Sequence, residues 1–457
     1  MNNVQRKFLF AVVASLVVAT IFAVSVFGRR PVVPAVEAET ADRVAETAKT
    51  ADEPPSAAQS VEPAPVQPAA PVVAVPGETL VARAPAALAG PSSLGSLDPT
   101  RAAFRLDFAA TGAGLERITF ADFWQSASDA AAARRSPADP PDESRRYVLQ
   151  SALPLVEGGR TFTVPVLGTH SLEIDGRLVS LFGAVWSSSA PGSFVSEVVA
   201  PDGSARFRVR REFVVDGTTY EITVRQRVEN LTDQPARVRW VGYGPSDLPA
   251  DTTSYIEVRR FHFGYLLPAS RDPAQTTVLA NGQMYERSEA EKRIAAAEFT
   301  LWPNETSLGG QYVLAWFGAT NRYFSLAVHA PWTPPGAPSR AFGSAVESVR
   351  IRDNGVPAPG NTVLAELHSP VKEIAAGGMG EFDLGVYAGP LDPKVFGSGE
   401  PYTTLRLNLL IVYALSGCCT WCTFSWLANF LVLFLTFLHD WVVFDWALAI
   451  IVLVIVV

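Results

Sequence analysis

A chain of 457 residues is long enough for two or three folding units. Charged residues make up 18% and hydrophobic ones 48%, and mean hydropathy is +0.17, so part of the chain is expected in lipid. The net charge of −8 excludes a general nucleic-acid binder, 35 prolines and 33 glycines exclude an all-helical protein, and three cysteines confined to Cys418, Cys419 and Cys422 exclude a disulfide scaffold.

Residues 1–7 are a short polar start, Met1 to Lys7. Residues 8–27, FLFAVVASLVVATIFAVSVF, carry no charge. Twenty residues at helical rise cover roughly 30 Å, the thickness of a bilayer's hydrocarbon core, and a helix satisfies every backbone group there. A transmembrane anchor is predicted. The rival is a cleavable signal peptide, whose apolar core is shorter, about 7–15 residues. Arg6 and Lys7 flank one end and Arg29 and Arg30 the other, so the positive-inside rule leaves the orientation open.

Residues 28–100 follow as a linker. From Pro31 onward it is roughly two-fifths alanine plus proline and shows no apolar periodicity. Such a segment buries too little surface to offset its chain entropy, and proline favours extended polyproline II. A tether is the plain reading; a peptide ligand for a partner is the other.

Residues 101–401 change to short alternating runs. Phe207 and Val209 face one side of Arg206-Phe207-Arg208-Val209-Arg210, and the arginines face the other. Tyr220 to Arg225 and Arg237 to Trp240 alternate alike. A period of two marks strands with one buried face. Asp216-Gly217, Pro201-Asp202-Gly203 and Asn354-Gly355 read as turns. A large two-sheet antiparallel sandwich is predicted, with a helix around Ser288 to Glu298. The arginine face reads as a solvated outer surface with Glu212, Glu221 and Glu229 as neighbours, or as an anion site.

Residues 402–445 are predicted as interfacial or amphipathic helices. The stretch from Phe424 to Leu438 is aromatic-rich, and Trp421, Trp426, Trp441 and Trp446 suit a membrane-interface belt. A full span starting near Leu427 is the alternative. Residues 446–457 are wholly apolar but reach only about 18 Å as a helix, the start of a span cut off in its middle.

Motifs for chemistry are sparse. Cys418-Cys419-x-x-Cys422 lacks the second ligand pair that zinc requires, with His439 the only nearby imidazole. His170, His262, His329, His368 and His439 form no ligand pair in sequence. Walker, dinucleotide and nucleophile-elbow motifs are absent. Asn230-Leu231-Thr232 and Asn304-Glu305-Thr306 match the glycosylation sequon but are discounted without a sign of a eukaryotic secretory route.

Several segments taken in order carry a family resemblance. They are Phe213-Val214-Val215-Asp216-Gly217-Thr218-Thr219-Tyr220 running into Val228-Glu229-Asn230; Gly309-Gly310-Gln311-Tyr312 followed by Trp316-Phe317-Gly318 and Asn321-Arg322-Tyr323-Phe324; Tyr387-Ala388-Gly389-Pro390; and the tail Asp445-Trp446-Ala447-Leu448-Ala449-Ile450-Ile451. With the anchor, spacer and β domain, the chain resembles the YidC family of bacterial membrane-protein insertases.

The resemblance implies a mutarotase-like β-supersandwich in the periplasm, an N-terminal transmembrane helix, a C-terminal helical membrane segment, and residence in the inner membrane, multi-pass in the full-length form. It implies insertion and folding of inner-membrane proteins without bond chemistry or cofactor. Implied partners are nascent membrane proteins, the lipid bilayer and the Sec translocon, with no nucleic acid. The family's groove arginine or lysine is expected just after the run ending at Val457, so the chain reads as a C-terminally truncated insertase lacking most of the core. No catalytic, cofactor-binding or metal-ligating residue is assigned. The alternative function is a membrane-anchored periplasmic carbohydrate-binding or mutarotase-like module.

Overall fold

A computed structural model describes residues 79–136, 140–250, 257–266, 280–307, 312–331, 345–412, 425–443 and 445–456. The expected anchor at 8–27, the linker to residue 78 and the cysteine cluster lie outside the described residues. Two compact units are present, and each is described by itself.

The larger unit is a mainly β antiparallel sandwich. Its large sheet runs in the order Val81–Arg83, Ser193–Val199, Ala205–Val215, Glu221–Asn230, Leu384–Pro390, Phe324–His329, Val313–Thr320, Arg260–Leu266 and Ala280–Glu286. The second sheet is ordered Thr300–Trp302, Ser348–Asp353, Val363–His368, Ala236–Tyr243, Thr169–Ile174 and Arg177–Ser180. A four-stranded sheet, Ser92–Gly95 to Arg146–Ser151, and a hairpin, Leu153–Glu157 with Arg160–Val164, complete it.

The alternation seen in sequence sets this arrangement. Phe207, Val209 and Phe213 of one strand and Ile222, Val224 and Val228 of its neighbour are buried together. The two strands are joined through the Asp216-Gly217 turn, where Gly217 has φ +49°. Gly203 (φ +82°) turns the chain at Pro201-Asp202-Gly203, and Gly355 (φ +70°) at Asn354-Gly355. Phe108 of the four-stranded sheet packs edge-on against Phe194 and Phe213 of the large one, at 5.4 and 5.3 Å. On the outer face, Arg225 pairs with Glu212 at 3.1 Å and Arg208 with Glu229 at 3.4 Å. The arginine stripe is thus a solvated ion-pair ladder. The helix expected at Ser288 to Glu298 is present as Arg287–Ala295.

Two expected boundaries fall elsewhere. β structure begins before residue 101, because Val81–Arg83 pairs with Ser193–Val199 and Ser92–Gly95 with Phe104–Phe108. At the other end, the short helical turns Tyr402–Leu405 and Leu407–Leu410 belong to the sandwich. Tyr402, Leu405, Leu407 and Leu410 are buried in a cluster with Trp316, Tyr387 and Phe396, which gives their apolar side chains a protein environment instead of a lipid surface.

This fastening has one backbone requirement. Trp316 lies across Gly264 of the neighbouring strand and donates its indole N–H to the Leu405 carbonyl at 2.8 Å. A Cβ at residue 264 would overlap the indole. Gly264→Ala is expected to destabilise the sandwich by about 1–3 kcal/mol through overpacking. Urea unfolding followed by tryptophan fluorescence measures this; an unchanged midpoint would contradict the packing described.

The smaller unit's described residues are helical: Ser425–Phe437, a wider π-helical turn over Leu438–Val443, and Trp446–Val456. Asp445 accepts the Leu448 N–H at 3.0 Å and caps the last helix. Among the described residues no single helix is long and apolar enough to cross a membrane; Phe430–Val443 and Trp446–Val454 pass that test together, bent by 119°.

Candidate functional site

The sandwich carries a cleft of about 970 Å³. Strand ends and short connections form it: Asp122 to Trp124, Arg146-Tyr147, Asn321 to Phe324, and Pro390 to Pro393, with helix Ala127–Arg135 along one side. That helix starts at Ser126, whose hydroxyl accepts the Asp129 N–H at 3.1 Å. It presents Ala127, Ala130 and Ala133 to the cleft, so the wall stays low.

Asn321 holds the floor. Its Nδ2 donates to the Tyr147 hydroxyl at 2.8 Å and to the Pro249 carbonyl at 3.1 Å. Its Oδ1 accepts the N–H groups of Tyr323 and Phe324 at 3.0 and 2.9 Å. A buried amide with all these partners fixes the turn between two strands of the large sheet. Phe324 in turn stacks on Tyr147 with ring centres 4.4 Å apart and meets Phe120 and Phe123 at 5.0 Å each.

Arg146 is the distinctive polar group of the cleft. It is 8% exposed, and its guanidinium lies 4.0 Å from the centre of the Trp124 ring. Its Nε has no hydrogen-bond partner, and among the described residues it forms no ion pair. Burial lowers its pKa, against the opposing charges of Asp122 and Glu143. A largely desolvated cation of this kind is a ready partner for a carboxylate or carbonyl entering the cleft.

The histidines are more grouped than their sequence spacing suggests. His170 and His368 both lie by Glu366, with His368 Nε2 3.8 Å from its carboxylate. Burial lowers the pKa of His170 despite Glu366. His262 is buried against the Thr320 hydroxyl at 2.9 Å, and burial pushes its pKa down to about 3. His439 lies in the helical unit, 2.7 Å from Asp440 and stacked on Trp446 at 4.0 Å. None of these lines the cleft. Among the described residues no group of three or more His, Cys, Asp or Glu side chains is placed to hold a metal. Asn230 of the first sequon is fully buried and bonded to the Gln234 and Ile374 carbonyls, which closes it to modification.

In the helical unit, Leu433, Phe437, Trp441, Trp446 and Val454 are all at least half exposed. An apolar helical surface of this kind suits lipid or another apolar helix.

The family model for the YidC periplasmic domain matches residues 197–434, more than half of the chain. The chain belongs to the YidC family. The match runs from the large sheet into the Ser425–Phe437 helix, while Trp124 and Arg146 of the cleft lie ahead of it. No curated protein matches. Similar solved structures include a galactose mutarotase related enzyme from Lactobacillus acidophilus, at 11% identity and TM-score 0.33, covering 65% of this chain and 97% of that one. A galactose mutarotase-like protein from Lactobacillus casei matches at 8% identity and TM-score 0.31, covering 65% of this chain and 100% of that one.

One ion pair gives the sandwich a pH dependence. His329 is 1% exposed at its side chain and its Nε2 lies 3.2 Å from Glu221, while Nδ1 faces the Ala330 carbonyl at 2.6 Å. Burial alone would lower its pKa, but the Glu221 charge and both hydrogen bonds outweigh that and raise it. The resulting stability is fully present below the unfolded histidine value of about 6.5 and is lost as pH rises through the higher folded value. The stability difference between wild type and His329→Gln is therefore expected to shrink as pH rises above about 6.5 and through the higher folded value. Urea unfolding at several pH values tests this; a difference that grows with pH would contradict the charged pair.

Proposed function

We propose that this chain is part of an insertase and chaperone for inner-membrane proteins, with the sandwich in the periplasm and the C-terminal helices at the membrane. The family match through the sandwich and into the Ser425–Phe437 helix is the observation that carries this reading. The exposed apolar residues of the helical unit supply surfaces that lipid or a client's apolar segment would cover. No bond chemistry is needed: the work is to lower the cost of moving polar groups past hydrocarbon.

The cleft has a part in the same reading. Its walls include Phe123, Leu391, Pro249 and Pro393, and Arg146 supplies a cation with no competing carboxylate bonded to it. Extended client segments outside the membrane would be held there, acidic ones preferentially. The partners are nascent membrane proteins, alone or arriving from the Sec translocon.

Two measurements test this. A photo-crosslinking residue at Leu433, which is 70% exposed, is expected to give adducts with stalled nascent inner-membrane proteins and none with stalled cytosolic proteins. Absence of membrane-protein adducts would contradict the assignment. A reporter enzyme active only in the periplasm, fused after Thr100, is expected to be active; activity of a cytoplasm-only reporter there would overturn the topology.

A further inference from the structure

The inward face of the large sheet has a polar break. Counting by twos from Phe207 and Val209 puts Arg211 inside, and its register partner Gln226 is inside as well. Arg211 is 2% exposed. One of its terminal nitrogens donates to the Ala113 carbonyl at 3.1 Å and to the Thr169 hydroxyl of the second sheet at 2.8 Å. Both acceptors are neutral. Among the described residues Arg211 has no carboxylate partner, and its Nε has no acceptor.

A small cavity of about 20 Å³ lies between the sheets, lined by Arg211 and Gln226 on one side and Trp240, Gly242 and Leu367 on the other. Trp240 is 4% exposed, and its indole N–H also has no acceptor. That N–H edge is turned toward Gly242, because a Cβ on Gly242 would sit 3.4 Å from Trp240 Nε1. Two buried donors thus border one cavity, and neither side chain can accept a hydrogen bond. The volume exceeds the roughly 10–15 Å³ that one water needs, but it is too small for a sulfate, phosphate or carboxylate ligand.

We propose that this cavity binds a single chloride ion, held between Arg211 and Trp240. A monatomic anion fits the space, accepts from both donors and neutralises the buried guanidinium. A water would satisfy the donors but leave the charge uncompensated. Burial without a counter-charge pushes the Arg211 pKa down to about 9, so the group is still cationic at neutral pH and an anion at Nε would be retained there. The ion would tie the Ala205–Val215 strand to the Ala236–Tyr243 strand across the middle of the sandwich.

The test uses the whole chain, freed of halide by dialysis into gluconate. At constant ionic strength, chloride and bromide are expected to raise the melting temperature saturably, and sulfate is not. Trp240→Phe keeps the ring and removes the donor, and it is expected to raise the half-saturating chloride concentration about tenfold. Arg211→Met is expected to abolish the chloride response. If that variant does not fold, diffraction from wild-type crystals grown in bromide decides: an anomalous bromide peak between Arg211 Nε and Trp240 Nε1 is expected. A water there in place of bromide, or equal melting temperatures in chloride and gluconate, overturns the proposal.

Discussion

The register between Ala205–Val215 and Glu221–Asn230 is the constraint on which the rest of the sandwich depends. With Val209 opposite Val228 and Phe213 opposite Val224, the buried apolar side chains of the pair share one face with Arg211, while Arg208, Arg210, Glu212 and Arg225 lie on the other. A slip of one residue would turn the arginines inward and the phenylalanines out, at a cost no local interaction could offset. The same register fixes the ends of the pair. Glu221, just after the turn, pairs with Tyr387 of the Leu384–Pro390 strand, whose last residue, Pro390, pairs with Phe324. Phe324 and Pro390 both line the cleft.

The C-terminal end of the sandwich follows from a second, smaller set of contacts. Tyr387 gives its hydroxyl to the Pro390 carbonyl at 2.6 Å and packs on Phe396 and Tyr402 at 5.2 and 5.3 Å. Together with the Trp316 to Leu405 hydrogen bond, this draws residues 393–410 onto the sheet. Tyr402 lies next to Tyr220, whose ring meets Tyr387 edge-on at 6.3 Å. Residues 393–410 are thereby held on the sandwich by packing and hydrogen bonds as far as Leu410.

Much of this was legible in the sequence, for identifiable reasons. Period-two alternation gave the strands around Arg206, Tyr220 and Arg237, and glycine turns marked their ends. Continuing the count from Val209 by one more step places Arg211 inside, so the same alternation also marks the buried cation. The boundaries at residues 101 and 401 moved because short segments such as Val81–Arg83 and Tyr402–Leu405 have too few residues for a periodic signal. Their structure comes from edge pairing and from packing on Trp316, which are non-local. Arg146 of the cleft and the meeting of His170 with His368 at Glu366 likewise depend on chain crossings that no spacing records.

Residues 393–410 are part of the folded sandwich and not a loose extension of it. Hydrogen exchange of the whole chain in lipid nanodiscs tests it most directly. The Leu405 amide, bonded to the Pro401 carbonyl, and its neighbours through Leu409 are expected to be protected and to open together with the core strands, with the same denaturant dependence. Rapid exchange of these amides while strands Ala205–Val215 and Glu221–Asn230 stay protected would contradict the account.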